Sequence, residues 1–440
     1  MNSFRYVKDV KIKEEYDIIV CGGGPAGFCA AIQAARAGAK TALVEQMAAL
    51  GGTITTGGNP EIALFFAEGR QIISGIGWEA VTRLSGKGWA HVPDFSHYVD
   101  HSVLGVKVNE LMMAELLDTM CEEAGVSLYF LQPVADAVLS NDGSRIKGIL
   151  ISTKSGLRML KAKQFIDCTG DGDLSAFAGA EFELGNSDTG ELQPGSFRFY
   201  LSGFQMKDID REKADQAFWD AVKRGKLSRT DYRNERGSPS FILQNNGNNV
   251  NHIIGINGSD SDSLTKAQIE GRKSVARTIN WAKKYVKGAE KIEAVACAPV
   301  VAVRESRRII CEKYITVEEY LAAVVYEDAV CYSYYPVDLH RAEVKSLENI
   351  FLEKGKVPTV PFHALLVKGI DNLMVAGRCI SGDRLANSAY RVKCSCMAMG
   401  QAAGAAAALA VKSGGTLRDI PAENIRELLK KFGAIVPEVK

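Results

Sequence analysis

The ten cysteines of this 440-residue sequence include no C-x-x-C pair, so the usual signature of a redox dithiol is missing. Cys21, Cys29 and Cys168 fall in predicted core elements and read as reduced, buried thiols of a cytoplasmic protein. Cys394 and Cys396 stand two apart in a predicted helix, where they face different directions. Charge of one sign is also lacking: 53 basic residues meet 52 acidic ones with no like-charge block, so nothing supports nucleic-acid binding. No apolar run approaches the roughly 18 residues of a membrane span. The longest small-residue run, Ala402 to Val411, reads as a buried helix. Met1 to Glu15 is charged and has no apolar stretch of the signal-peptide kind. No histidine precedes His91, and His91, His97 and His101 are too loosely spaced to suggest a metal site, so no metal is expected. There is neither an internal repeat nor a low-complexity tract.

What is present begins at Asp17. The apolar run Ile18 to Cys21 predicts a buried parallel strand. Gly22, Gly24 and Gly27 follow in G-x-G-x-x-G spacing, with Pro25 and Ala26 between them. An alanine-rich helix to Ala37, Gly38, and a short strand Thr41 to Val44 lead to Glu45 and Gln46. The three glycines suit a tight turn, close approach to a pyrophosphate, and close packing of helix on strand. The helix N-terminus offers unpaired N–H groups to phosphate, and Glu45 stands where a carboxylate can accept ribose hydroxyls. This unit predicts an α/β, Rossmann-type dinucleotide-binding domain.

Three further segments choose the cofactor. Leu50 to Gly58 contains Gly51, Gly52, Thr53, Thr56 and Gly57; Phe165 to Asp173 contains Thr169, Gly170 and Asp171; Asn372 to Arg378 contains Gly377 and is followed by Gly382-Asp383. With the first motif these resemble the FAD-dependent oxidoreductases of the glutathione-reductase superfamily, on the side of the fumarate reductase and succinate dehydrogenase flavoproteins and a large, mostly unassigned FAD-dependent family. The resemblance runs from Asp17 to about Ala410. It implies a discontinuous FAD domain (15–59, 111–184 and 365–412), an inserted α+β cap domain that builds the substrate pocket (60–110 and 185–364), and a helical tail (413–440). It also implies that Val134 lies against the adenine, that Asp383 bonds the ribityl chain, and that a long helix opening at Ser388 to Val392 points its N-terminus at the flavin's pyrimidine edge. A histidine before His91 would be needed for the covalent attachment of succinate dehydrogenase-like relatives, so non-covalent FAD is expected. Asn245 to Asn249 reads as an exposed loop.

No second strand–G-x-G-x-x-G–helix unit exists, so a dedicated NAD(P)H domain is not expected. The flavin supplies the redox chemistry and the protein supplies position and proton handling. Arg304 to Ile309 and Tyr335 to His340 resemble segments of the unassigned family that lie between cap and flavin. His340 is the expected acid–base residue, because an unperturbed imidazole titrates near neutrality. Arg307 is expected to anchor substrate or deliver a proton. Arg304, Arg384, Arg391 and His363 are placed within reach of substrate, although many relatives carry arginine where His363 stands. The resulting expectation is an oxidoreductase passing a hydride between a small polar substrate, hydroxylated or an organic acid, and flavin N5. The alternatives are a monooxygenase fed by a separate reductase, or the FAD-binding subunit of a multi-component redox complex. The electron acceptor or donor stays open, and a homo-oligomer is compatible with the sequence.

Overall fold

The computed structural model describes residues 4–5, 7–95, 104–234, 237–341 and 347–439. His97 and His101 lie outside them. The central sheet is built on β1 (Lys11–Cys21), whose last four residues are fully buried, as a strand covered on both faces requires. Helix α1 (Pro25–Arg36) returns the chain to β2 (Thr41–Val44), parallel to β1. Helices α2 (Ile76–Gly86) and α3 (Glu110–Ala124) precede β3 (Ser127–Tyr129), which pairs in parallel with β2. The antiparallel strands β4 (Val134–Leu139) and β5 (Ile146–Thr153) lead into the long β6 (Gly156–Asp167), which pairs with β5 in its first half and runs parallel to β1 throughout.

Beyond the central sheet the chain forms β7 (Phe199–Ser202), α4 (Arg211–Lys223), α5 (Ser261–Tyr285) and β8 (Glu293–Cys297), the last antiparallel to β7. These elements enclose a hydrophobic cluster of their own around Phe199, Phe218, Trp281 and Ile292. Strands β9 (Arg307–Ile309) and β10 (Val337–His340) follow. Then β11 (Leu373–Val375) joins the central sheet parallel to the end of β6. Helices α6 (Arg384–Tyr390), α7 (Lys393–Ser413) and α8 (Ala422–Lys431) complete the chain. The parallel order β3–β2–β1–β6–β11, with helices on it, is a Rossmann-type α/β fold.

Helix α7 is long and apolar enough to cross a membrane by length and composition, a property the expectation drawn from uninterrupted apolar runs had not allowed for. It is nevertheless a core helix, buried along most of its length. A Cβ on Gly400 or Gly404 would land on the carbonyl of Ala26 or Ala30, so α7 crosses α1 backbone to backbone. Between them Gln401 Nε2 donates to Gln33 Oε1 at 2.9 Å, and Gln401 Oε1 accepts the Ile76 amide at 3.1 Å.

Two expectations are corrected. The helix expected to open at Ser388 and run to Val411 is two helices, because Val392 adopts an extended conformation (φ −65°, ψ 152°) and breaks the chain between α6 and α7. The asparagine-rich segment 245–249 is not simply an exposed loop. Gly247 and Asn248 are buried. Asn246 Oδ1 accepts the Leu201 amide at 2.6 Å, and Asn249 Oδ1 accepts from Arg304 at 2.5 Å.

Candidate active site

The C-terminal ends of β1, β2, β6 and β11 meet at one edge of the sheet. There the Gly22 amide donates to Val44 O at 2.7 Å, and the Cys168 amide to Cys21 O at 2.7 Å. A Cβ on Gly22 would collide with the Cys168 carbonyl, and one on Gly27 with the Gly22 carbonyl. Gly24 differs: the nearest atom to a Cβ there is Gly52 Cα, at 4.0 Å. Protein packing therefore does not require a glycine there, and the space over it is open. Gly24 stands at the N-terminus of α1, which no side chain caps and where Pro25 fills the first turn. Ala26 lies on the same turn, and a Cβ on Gly377 would lie 3.2 Å from the Ala26 Cβ.

Glu45 is 6% exposed, and its carboxylate accepts the Gly23 amide at 2.6 Å and the Met47 amide at 2.7 Å. Burial raises its pKa against those amide bonds. Gln46 beside it is exposed. The Gln132 amide donates to Glu45 O at 3.1 Å, which brings the start of β4 at Val134 alongside. The segment from Gly51 to Gly57 folds over the first turn of α1. The Gly51 amide donates to Gly23 O at 2.8 Å, the Gly57 amide to Gly52 O at 2.9 Å, and Thr56 Oγ1 to Gly52 O at 3.1 Å. The Asn59 amide bonds Thr53 O at 2.9 Å. A ligand-facing glycine, an uncapped helix N-terminus and a carboxylate at the end of β2 are the donor and acceptor set of a dinucleotide, and the residues present fit FAD.

Other expected cofactor residues have structural duties here. Thr169 Oγ1 donates to the buried Asp167 at 2.7 Å. Gly170 O accepts from Arg378 Nε at 2.9 Å, and Asp171 pairs with Arg378 Nη2 at 2.7 Å. A third Arg378 nitrogen bonds Val303 O. Asp383, expected at the ribityl chain, is the N-cap of α6. One of its oxygens accepts the Ala386 amide at 2.8 Å and the other the Val317 amide. Ala376, Gly377 and Arg378 directly follow β11. Val392 is the N-cap of α7, with no side-chain cap bond.

Where the break between α6 and α7 meets β10, polar side chains gather out of water. Arg304 is 8% exposed, donating to Pro194 O at 2.5 Å, Ser196 Oγ at 2.8 Å and Asn249. It forms no ion pair among the described residues. Burial, with Arg391 and Arg233 nearby, lowers its pKa to about 9, so it is still charged at neutrality. Arg391 Nη2 donates to Gln193 Oε1 at 3.2 Å, and that oxygen also accepts the His340 amide at 3.3 Å. His340 Nδ1 lies 2.9 Å from His252 Nε2, and His340 Nε2 lies 3.3 Å from Asp338 Oδ2. With Asp338 accepting from Nε2–H, Nδ1 is left to accept from His252 Nε2–H, which leaves His252 Nδ1 as the basic end of the chain. Burial lowers His340 to about 4, helped by Arg304, and lowers His252 further. Burial works against the Asp338 carboxylate, yet His340, Arg391 and Arg304 hold its pKa well below the usual range.

The remaining expected residues are not part of this cluster. Arg307 points to the other side of β9, donating to Asp171 O at 3.0 Å and Asp173 at 2.9 Å. Burial and the neighbouring Asp171 and Asp167 raise Asp173 to about 6 despite that pair. Glu305, 1% exposed, pairs with Arg308 and Arg384, each at 3.0 Å, and accepts the Gln193 amide at 2.9 Å. Arg384 thus borders the cluster through Glu305. His363 is corrected: it stands half-exposed, its Nδ1 2.6 Å from Asp328, with Glu312 on the other side, and touches none of the cluster. Gln193, His252 and Asn249 are the residues that sequence reasoning missed. They sit in irregular sequence with no period or motif to mark them.

Fold and site together define a flavin-dependent redox enzyme. The family model described as FAD dependent oxidoreductase matches residues 17–429, and the chain belongs to that family. FAD is its cofactor. Dihydrolipoyl dehydrogenase of Trypanosoma brucei brucei is 55% identical over 53 residues, which cover 12% of this chain and 11% of that enzyme. Thiamine thiazole synthase of Methanothermobacter thermautotrophicus is 27% identical over 203 residues, covering 43% of this chain and 69% of that one. The match to the trypanosomal enzyme therefore spans only about a tenth of its length. Among solved structures, a geranylgeranyl bacteriochlorophyll reductase-like protein of Thermoplasma acidophilum aligns over 95% of this chain and 84% of its own, with a TM-score of 0.43 and 13% identity.

Proposed function

We propose that this oxidoreductase passes a hydride between a small polar substrate, hydroxylated or an organic acid, and its flavin, with the substrate seated against Arg304, Asp338, Arg391 and His252. The observation that carries this reading is the gathering of those groups at the break before α7, with Arg304 and both histidines buried and more positive than negative charge. Bound FAD supplies the two-electron redox capacity. Arg304 and Arg391 orient the substrate and stabilise negative charge on it. Both ring nitrogens of His340 are engaged, so His340 positions His252 and Asp338 and does not meet the substrate itself. The site groups lie far apart in sequence, at 193, 252, 304, 340 and 391, so substrate is enclosed by cap and nucleotide-binding halves together.

The test is an absorption spectrum before and after acid precipitation, followed by anaerobic addition of hydroxy acids and polyols. Released flavin is expected in the supernatant, and bleaching by one compound identifies an oxidation substrate. Flavin retained in the pellet would refute non-covalent binding. Failure of every such compound to bleach the flavin, and of every enoate to reoxidise the reduced protein, would overturn the dehydrogenase or reductase reading.

A further inference from the structure

Two hydrogen-bond donors in the cluster have no acceptor. Arg391 Nε and Gln193 Nε2 are both sealed from solvent and neither has a partner among the described residues. Gln193 is fully buried. The two side chains are joined, since Arg391 Nη2 donates to Gln193 Oε1, so the vacant N–H groups belong to one hydrogen-bonded pair. Nε and Nη2 form the side-on edge of a guanidinium, which matches the two oxygens of a carboxylate. In this pair one half of that edge is used by an amide oxygen and the other half is unused.

A buried donor left unsatisfied costs about 1–3 kcal/mol, so two in one place call for an acceptor that arrives from outside the chain. The local charge says which kind. Arg304, Arg391 and Arg233 outnumber the anions beside them, Asp338 and a Glu305 that is already held by Arg308 and Arg384. Neither Asp338 nor Glu305 forms an ion pair with Arg391 among the described residues. A polyol would satisfy the donors and leave the excess charge; a carboxylate satisfies both.

We propose that Arg391 Nε and Gln193 Nε2 receive the carboxylate of an organic-acid substrate, with Arg304 as the second cation. This rests on reading the cluster as the substrate site, and it selects the organic acid over the neutral hydroxylated compound.

The experiment uses the full FAD-loaded chain and oxalate, malonate, glycerol and erythritol as probes, read by flavin difference spectra and melting temperature. Oxalate or malonate is expected to perturb the flavin saturably and raise the melting temperature, with glycerol and erythritol inert. Arg391→Gln is expected to weaken carboxylate binding at least tenfold. Gln193→Glu is the sharper variant. Its new oxygen replaces Nε2, accepts from Arg391 and fills the site from within, so it should abolish carboxylate binding and raise the melting temperature of the anion-free protein. Carboxylates that act no differently from polyols would overturn the proposal, as would Gln193→Glu binding oxalate like the wild type. If Arg391→Gln loosens FAD while oxalate binds undiminished, the donors serve the flavin's own carbonyl edge and the proposal falls. Oxalate binding needs no turnover, so oxalate bound with no compound bleaching the flavin supports this site and removes only the redox reading above.

Discussion

Gly24 and Gly27 lie three residues apart and are glycine for opposite reasons. Gly27 has the Gly22 carbonyl where its Cβ would be, whereas Gly24 has open space. Gly24→Ala is therefore expected to keep the melting temperature of the apoprotein and to weaken FAD at least tenfold, by titration of the apoprotein with FAD. Gly27→Ala is expected to destabilise the fold itself by about 1–3 kcal/mol or more. Equal effects at the two positions would contradict the assignment. The histidine pair makes a pH prediction. His340 is held at about 4 in the fold against 6.5 when free, so its contribution to stability is full above pH 6.5 and is lost as pH falls toward 4. Its ¹⁵N shifts should not titrate between about pH 5 and 8, and acidification from 6.5 to 4 should lower the melting temperature of wild type more than that of His340→Asn. A His340 ring titrating near 6.5 would mean that water reaches it.

At the scale of elements, the crossing of α1 and α7 inverts a common rule. Gly→Ala inside a helix ordinarily stabilises by roughly 0.5–1 kcal/mol. At Gly400 the added methyl would meet the Ala26 carbonyl, and Gly400→Ala is expected to cost about 1–3 kcal/mol by chemical denaturation. Gly86→Ala, at the end of α2 with no atom within 4 Å, is the control expected to show no such loss. The strands and α1 could be read from sequence because hydrophobic period and glycine spacing are local signals. The break at Val392 could not: Arg391-Val392-Lys393 has no proline or glycine, and the interruption comes from what packs around it. Asp383 shows the same limit. A Gly-Asp pair after a strand marks a turn in the sequence, but that Asp383 caps the Ala386 and Val317 amides is visible only in the fold.

For the molecule as a whole, Arg378 ties β11 to the 170–171 turn and to the cap at Val303. Arg378→Met would leave Asp171 without its cation, the Val303 carbonyl without a donor and Gly170 O with only Ser306 Oγ. The expected cost is about 2 kcal/mol or more, measured by thermal unfolding, with weaker FAD retention. The glycine turns around β1 and β2 were legible because they are written in contiguous motifs. The cluster around Arg304 was not. Gln193, Asn249 and His252 matter only beside Arg304, His340 and Arg391, and nothing along the chain announces that adjacency.

The close crossing of α1 and α7 also has a consequence for the order in which the chain is made. A ribosome delivers α1 far ahead of α7, so the alanine face of α1 leaves the exit tunnel long before its cover exists. Until α7 emerges, the dinucleotide turn has no support from behind. The nascent protein must therefore keep that face protected until α7 has been made, and it can close on FAD only after that.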